Sequence, residues 1–221
     1  MFAHPASIFF QRGIASIDTL EMSSLSCEYE ENSSFICSVF EVPNEGLSAS
    51  DGSVGNWIPS QAFLEREEEF EIAMVPYEEL ASITSDTSSS SSSSVRRTDK
   101  KGVICRRSSD DAYISQWGEA HFHKQYSQYG VKTIWDWDRS SGLRPCPVYL
   151  RHCVLASWNC GGEGECSDSW SIDGEGGVCY NSFLDDTYLV DRKTTIREYL
   201  KQYPEVMKTE PPDGLRERYG G

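Results

Sequence analysis

Five cysteines fall late in the chain, at Cys146, Cys153, Cys160, Cys166 and Cys179, and three of them lie in the glycine- and acid-rich run WNCGGEGECSDSWSIDGEGGVC, residues 158–179. Thiols at that density suggest a metal site, a disulfide or a nucleophile. A structural zinc site wants two close ligand pairs such as C-x₂₋₄-C, each gripping one edge of a tetrahedron. The spacings here are six residues between Cys146 and Cys153, five between Cys160 and Cys166, and twelve between Cys166 and Cys179. His152 adjoins Cys153, but neighbours on a helix diverge by about 100°, and His121 and His123 would diverge by about 200°. No metal-ligand set is assigned. A disulfide from Cys160 to Cys166 or Cys179 closes easily in glycine-rich chain, given an oxidising or redox-regulated compartment. As a nucleophile, Cys146 stands out, because it precedes a helix start in RPCP with Arg144 nearby, and both features lower a thiol pKa. These five residues are the candidate redox set.

Other chemistries find less support. GGEGE lacks both the G-K-[ST] ending and the basic residue of a phosphate cradle, and its own carboxylates repel phosphate. Glu119, His121, His123, Asp185 and Asp186 offer acid–base groups, yet no pattern fixes two of them about one point. The sequence therefore assigns no catalytic residue and no cofactor, and gives no positive reason to propose an enzyme. Aromatic residues are the remaining resource. In DDAYISQWGEAHFHKQYSQYG, helical spacing places Tyr113, Ile114, Trp117, Ala120 and His121 on one side and Phe122, Tyr126 and Tyr129 on the other. A helix aromatic on two sides must be covered on both, by its own domain or by a partner. With the tryptophans of WDWD, this gives a candidate partner surface of Trp117, Phe122, Tyr126, Tyr129, Trp135 and Trp137.

The elements that would position these residues are helical. Ser109 or Asp110 can cap the first helix and Gly130 end it. VKTIWDWDRSSGLRPCP reads as an extended segment and a turn. PVYLRHCVLASW has proline at the first helical position and apolar residues nearly all round, as a central buried helix would. NSFLDDTYLV forms a further helix capped by Asn181 or Ser182. TTIREYLKQYP has Thr195 and Glu198 at capping-box spacing, Ile196, Tyr199, Leu200 and Tyr203 on one face, and Pro204 as a stop. Removing the glycine-rich run leaves two helices joined by a short turn, so the run reads as an insert without chemistry of its own.

Charge divides the chain. Residues 1–94 hold sixteen Asp or Glu against Arg12 and Arg66 alone, while the remainder is nearly balanced. Short apolar pieces such as SSFICSVFEV alternate there with acidic and Ser/Gly stretches, and FLEREEEFEIAM fits one acidic amphipathic helix within a region otherwise expected to be disordered. Ser88–Ser94 mark a linker. The expected fold is mainly α: a small helical domain of three or four helices with a long disordered acidic N-terminal region. The expected divisions are 1–94, the acidic region with its Ser-rich linker; 95–107, a basic segment; 108–207, the helical domain with its insert at 158–179; and 208–221, a polar tail.

Residues 95–107 carry six Lys or Arg against Asp99 and end in VICRR. This basic stretch following serines resembles the tail of an organellar transit peptide, and V-I-C-R resembles the cleavage region of chloroplast transit peptides in particular. A transit peptide belongs at an N-terminus, whereas an acidic stretch of about ninety residues precedes this one. The resemblance implies a plastid location; nucleus or cytoplasm is the alternative. An acidic region argues against nucleic acid as a partner. No run reaches the roughly 18 apolar residues of a membrane span, which leaves peripheral membrane association open. The leading expectation is a non-enzymatic interaction or assembly-type protein with a protein partner, which the transit-peptide resemblance would place on a plastid complex. The alternatives are a thiol redox or metal-binding protein, and a nucleocytoplasmic regulator acting through its acidic tail with the serine run as a phosphorylation switch.

Overall fold

The computed structural model describes residues 1–40, 60–78, 100–160, 171–173 and 176–220. The serine linker, residues 95–99, Cys166 and most of the glycine-rich run lie outside the described residues.

The chain is not a small three- or four-helix domain with a disordered acidic leader. Among the described residues it forms eight α-helices and five strands in two sheets, and the N-terminal residues supply part of the core. Strand β1 (Phe2–Pro5) leads through helix α1 (Ser7–Gln11) to β2 (Glu21–Leu25), which pairs antiparallel with β1 in the register Phe2↔Leu25, His4↔Ser24 and Pro5↔Ser23. The short β5 (Arg144–Pro145) adds to β2 in parallel. Its partnership brings the amide of Cys146 to Ser23 O at 3.0 Å, so the central helix α5 (Pro147–Asn159) starts directly from the sheet. All four residues of β1 are buried. A strand covered on both faces has no polar–apolar alternation, and FAHP and EMSSL lack the β-branched residues that usually announce a strand. That is why the sequence pattern missed them.

The expected helix through FLEREEEFEIAM is cut short. Helix α2 (Gln61–Arg66), capped by Ser60 Oγ on the Phe63 amide, gives way to a turn at Glu67–Phe70 and then to β3 (Glu71–Pro76). Ile72 and Val75 favour extended chain, and β3 finds a partner in β4 (Lys101–Arg106), residue for residue from Glu71↔Arg106 to Pro76↔Lys101. The segment resembling a cleavage region is thus the body of a strand. A two-stranded ribbon is marginal alone. This one is tied to the rest by the Arg107 amide on Cys27 O at 2.7 Å.

The aromatic helix breaks in two. α3 (Asp110–Trp117) ends at Gly118, whose φ of +87° no helical residue adopts, and α4 (Glu119–Gln125) begins there. Ser109 caps α3 by accepting from the Ala112 amide, as the sequence suggests. α5 has Pro147 in its first turn. α6 (Val178–Asp186) begins after Gly177 rather than at Asn181 or Ser182 and stops before Tyr188, whose segment pairs with β1 through Phe2 N on Tyr188 O at 2.9 Å. α7 (Ile196–Gln202) has both halves of the capping box between Thr195 and Glu198. In the expected polar tail, α8 (Arg216–Tyr219) buries Tyr219 beside Phe9 and Tyr149.

Phe2 packs with Leu150, Val154, Tyr180, Leu184, Ile196 and Leu200, while Ala3 and Met22 pack with Tyr113, Tyr126, Ile134 and Trp135. β1 therefore divides two apolar clusters and contributes to both. Between them lies His4, fully buried, stacked on Trp135 at 4.4 Å and edge-on to Phe70 at 5.0 Å, with neither ring nitrogen hydrogen-bonded. Burial, reinforced by the amino group of Met1 and by Arg107, pushes its pKa down to about 3. The unfolded chain then takes up the proton first, so His4 lowers stability as pH falls below about 6.5 and continues to do so until the folded-state value is reached. At pH 5 that contribution is about 2 kcal/mol. Urea unfolding of the wild type and His4→Leu should show the difference between them shifting by that amount toward the variant from pH 7 to pH 5. A difference that does not move with pH would mean that His4 is hydrated.

Candidate functional site

The turn between α2 and β3 carries two consecutive carboxylates into the aromatic cluster. Glu69 is 7% exposed; its Oε1 accepts from the Tyr126 hydroxyl at 2.6 Å and from the Ser7 amide at 3.3 Å. Glu68 accepts from the Tyr113 hydroxyl at 3.1 Å through Oε1 and lies 2.7 Å from His121 Nε2 through Oε2. The backbone is held equally well: Trp117 Nε1 donates to Glu68 O at 3.2 Å, and Trp135 Nε1 to Glu69 O at 3.1 Å. Burial raises the pKa of Glu69, with Glu68 adding to it, against the pull of the Tyr126 hydroxyl and the Ser7 amide. Burial followed by these carboxylates likewise raises Tyr113 and Tyr126. Five of the six aromatic residues expected to meet a partner are engaged internally. Tyr126 and Trp135 are buried outright, Trp117 and Phe122 are half-buried, and Tyr129 stacks on Phe10 at 5.3 Å.

Trp137 is placed differently. It is half-buried, its Nε1 donates to Thr133 O at 2.9 Å, and its ring helps line a cleft of about 190 Å³ with Met1, Ala3, Glu28, Arg107, Asp138, Arg139, Val190 and Arg192. Three guanidiniums thus converge in a chain of net charge −15. Glu28 bridges two of them, accepting from Arg107 Nη1 at 3.1 Å and from Arg192 Nη2. Arg107 is oriented further by donating from Nη2 to Trp135 O at 2.6 Å, which connects the cleft wall to the buried carboxylate turn. Asp138 is occupied by its own turn, accepting from the Ser140 hydroxyl and from the Ser140 amide at 2.7 Å; these bonds hold its pKa below the usual value. Arg139 is exposed and makes no ion pair among the described residues.

Arg192 sits at φ +60°, a conformation uncommon outside glycine. Local bonds hold it there. Asp191 accepts from the Lys193 and Thr194 amides, both at 2.9 Å, and from the Thr194 hydroxyl at 2.6 Å, while the Arg192 amide donates to Leu189 O at 3.0 Å. Burial pushes Asp191 up, but these donors prevail and its pKa is lowered. A strained residue fixed by its surroundings at the lip of a cleft is a common feature of binding sites.

Among the described residues, Cys146, Cys153, Cys160 and Cys179 do not gather into one metal-ligand cluster. Cys146 is buried with its thiol donating to Ile14 O at 3.2 Å, and burial takes its pKa up to about 12, outweighing the amides of Tyr149 and Val148 at the helix start. Arg144 does not approach that thiol in an ion pair; its guanidinium lies over the Tyr203 ring at 5.1 Å. Burial likewise takes Cys153 up to about 12. Both remain thiols at neutral pH and are poor nucleophiles. Cys160 is exposed and Cys179 half-buried. Among the described residues no group of three or more His, Cys, Asp or Glu side chains converges as metal ligands.

Sequence reasoning missed the cleft because Glu28 and Arg192 are 164 positions apart, and Glu28 lay in a region expected to be disordered. A local signal existed only for the Asp191–Thr194 turn. Comparison with known proteins gives no match to a family model, a curated protein or a solved structure.

The buried turn generates a test. Glu69 holds its proton in the folded state to higher pH than in the unfolded chain, so its stabilising share is full below about pH 4.5 and is lost as pH rises through the folded-state value. Glu69→Gln, which keeps an acceptor but cannot ionise, should gain stability over wild type between pH 5 and pH 8 in chemical unfolding. Glu69→Ala should cost about 3 kcal/mol by stranding the Tyr126 hydroxyl and the Ser7 amide. Equal stability of all three proteins would show that the turn lies outside the core.

Proposed function

We propose that the protein is a non-enzymatic interaction protein that receives a single carboxylate of a protein partner in the cleft between Arg107, Arg139 and Arg192, with Trp137 as the apolar contact beside it. The observation that carries this reading is the convergence of three guanidiniums and a tryptophan on a chain whose charge is otherwise strongly negative. Ligand pockets for cofactor-sized molecules are about 300–1,000 Å³. At about 190 Å³ the cleft suits a side chain or a chain terminus instead. Guanidinium forks match a planar carboxylate in two parallel hydrogen bonds, and arginine and tryptophan are the residues that most often dominate binding energy at interfaces.

The net charge limits the partner. A polyacidic segment would be repelled by the whole molecule before reaching the cleft. The expected ligand is therefore one Asp, Glu or terminal carboxylate flanked by basic residues, which the surrounding negative field attracts. Arg139, with no ion pair of its own among the described residues, reaches the incoming group first. Arg107 and Arg192 are then shared between it and Glu28.

The plastid setting rests on the resemblance of V-I-C-R to a cleavage region alone, and nucleus or cytoplasm is the alternative that an uncleaved chain favours. Processing near residues 103–108 would remove Phe2, His4, Met22 and Glu69, all of them buried. On this reading the acting chain keeps its N-terminal residues wherever it works.

The test is calorimetric titration of the full chain with a lysine-flanked peptide that ends in a free carboxylate, compared with the same peptide as its C-terminal amide. The free acid should bind at least tenfold more tightly, and Arg139→Ala and Arg192→Ala should each remove most of that difference. Equal binding of acid and amide, or binding indifferent to both substitutions, would overturn the proposal.

A further inference from the structure

The segment after β2 crosses the end of α5 and the first turns of α6. Its hold there is slight: the Ile36 amide donates to Ser182 Oγ at 3.4 Å, and Ser38 Oγ lies 3.6 Å from Cys160 Sγ. Cys37, exposed, stands between these two contacts. On α6, Cys179 precedes Ser182 by three residues, so the two share one face of the helix. Cys37 is thus carried across the helical turn that bears Cys179. We infer that Cys37 and Cys179 are a reversible thiol–disulfide pair that fastens the segment around residues 29–40 to the α5–α6 hairpin.

Two further observations support the pairing. The pKa of Cys37 is raised by partial burial and then by the neighbouring Cys179, so the two thiols lie within each other's electrostatic reach. The segment also exposes apolar residues, with Phe35 at 50%, Val39 at 54% and Phe40 at 78%. Chain held, among the described residues, by weak contacts such as these and presenting such residues gains order from a covalent link. The link would close a loop of well over a hundred residues, where cross-linking constrains the unfolded chain most. The inference is independent of the arginine cleft.

The oxidant is a small-molecule disulfide of the glutathione class. The more accessible Cys37, as thiolate, attacks one sulfur of that disulfide, forming a mixed disulfide and releasing one glutathione thiolate. The Cys179 thiolate then attacks the Cys37 sulfur, forming the protein disulfide and releasing the second. Two protein thiols lose two electrons and two protons, and one glutathione disulfide becomes two glutathione thiols. The reverse sequence opens the clasp.

The experiment equilibrates the full chain with mixtures of reduced and oxidised glutathione, blocks free thiols, and maps disulfides in the unreduced digest. A peptide joining Cys37 to Cys179 should appear, together with an intact mass lower by two hydrogens. Cys37→Ser or Cys179→Ser should abolish it, whereas Cys160→Ser and Cys166→Ser should leave it in place. Oxidation should also slow chymotryptic cleavage at Phe35 and Phe40 at least fivefold in the wild type and not in Cys37→Ser, whose exposed position leaves folding unaffected. A Cys37 joined to Cys160, Cys166 or Cys27, or one that stays alkylatable at oxidising potentials where other pairs form, would overturn the inference.

Discussion

Two consecutive carboxylates inside an aromatic cluster are tolerated only if each receives hydrogen-bond donors, because an unpaired buried charge costs several kcal/mol. Much of the structure is arranged to meet that demand. Tyr113 and Trp117 come from α3, His121 from α4, Tyr126 from the residue after it, Trp135 from the loop beyond, and the Ser7 amide from α1. None of these donors is supplied by the segment that bears Glu68 and Glu69. The acidic turn therefore works as a junction at which four remote pieces of chain are brought into register.

The same junction sets the cleft. Trp135 donates to Glu69 through its indole and accepts from Arg107 through its carbonyl, so one residue connects the buried carboxylates to the exposed guanidiniums. Glu28 and the strained Arg192 complete the arrangement from two further segments. Fixing arginines before a ligand arrives reduces the side-chain entropy lost on binding. On the reading proposed here, this pre-organisation is what the fold supplies to recognition.

The C-terminal helices were legible in the sequence because they follow local rules. Pro147 in the first turn, the Thr195–Glu198 capping box and the Ser109 cap all lie where spacing suggests. The N-terminal strands were not legible, since a short strand buried on both faces carries no alternation, and His4, Pro5, Ser23 and Ser24 look polar or irregular when read one at a time. The acidic character of the first ninety residues also misled, because Glu68 and Glu69 count as solvating charge until their donors from residues 113–135 are known. Composition averages over a segment, whereas burial is decided residue by residue. The cleft needs Glu28, Arg107 and Arg192 together, and no local pattern links them.

The central claim is that the N-terminal strands belong to the same cooperative unit as the C-terminal helices. Native-state hydrogen exchange on the full chain tests it most directly. The amide of Phe2 is bound to Tyr188 O, that of Ser26 to Met1 O and that of Cys146 to Ser23 O, and Leu150 lies within the central helix α5. If the claim holds, the Phe2 and Cys146 amides exchange as slowly as that of Leu150, and all three quicken together as denaturant is added. Free exchange over residues 2–25 while 147–159 stays protected would contradict it.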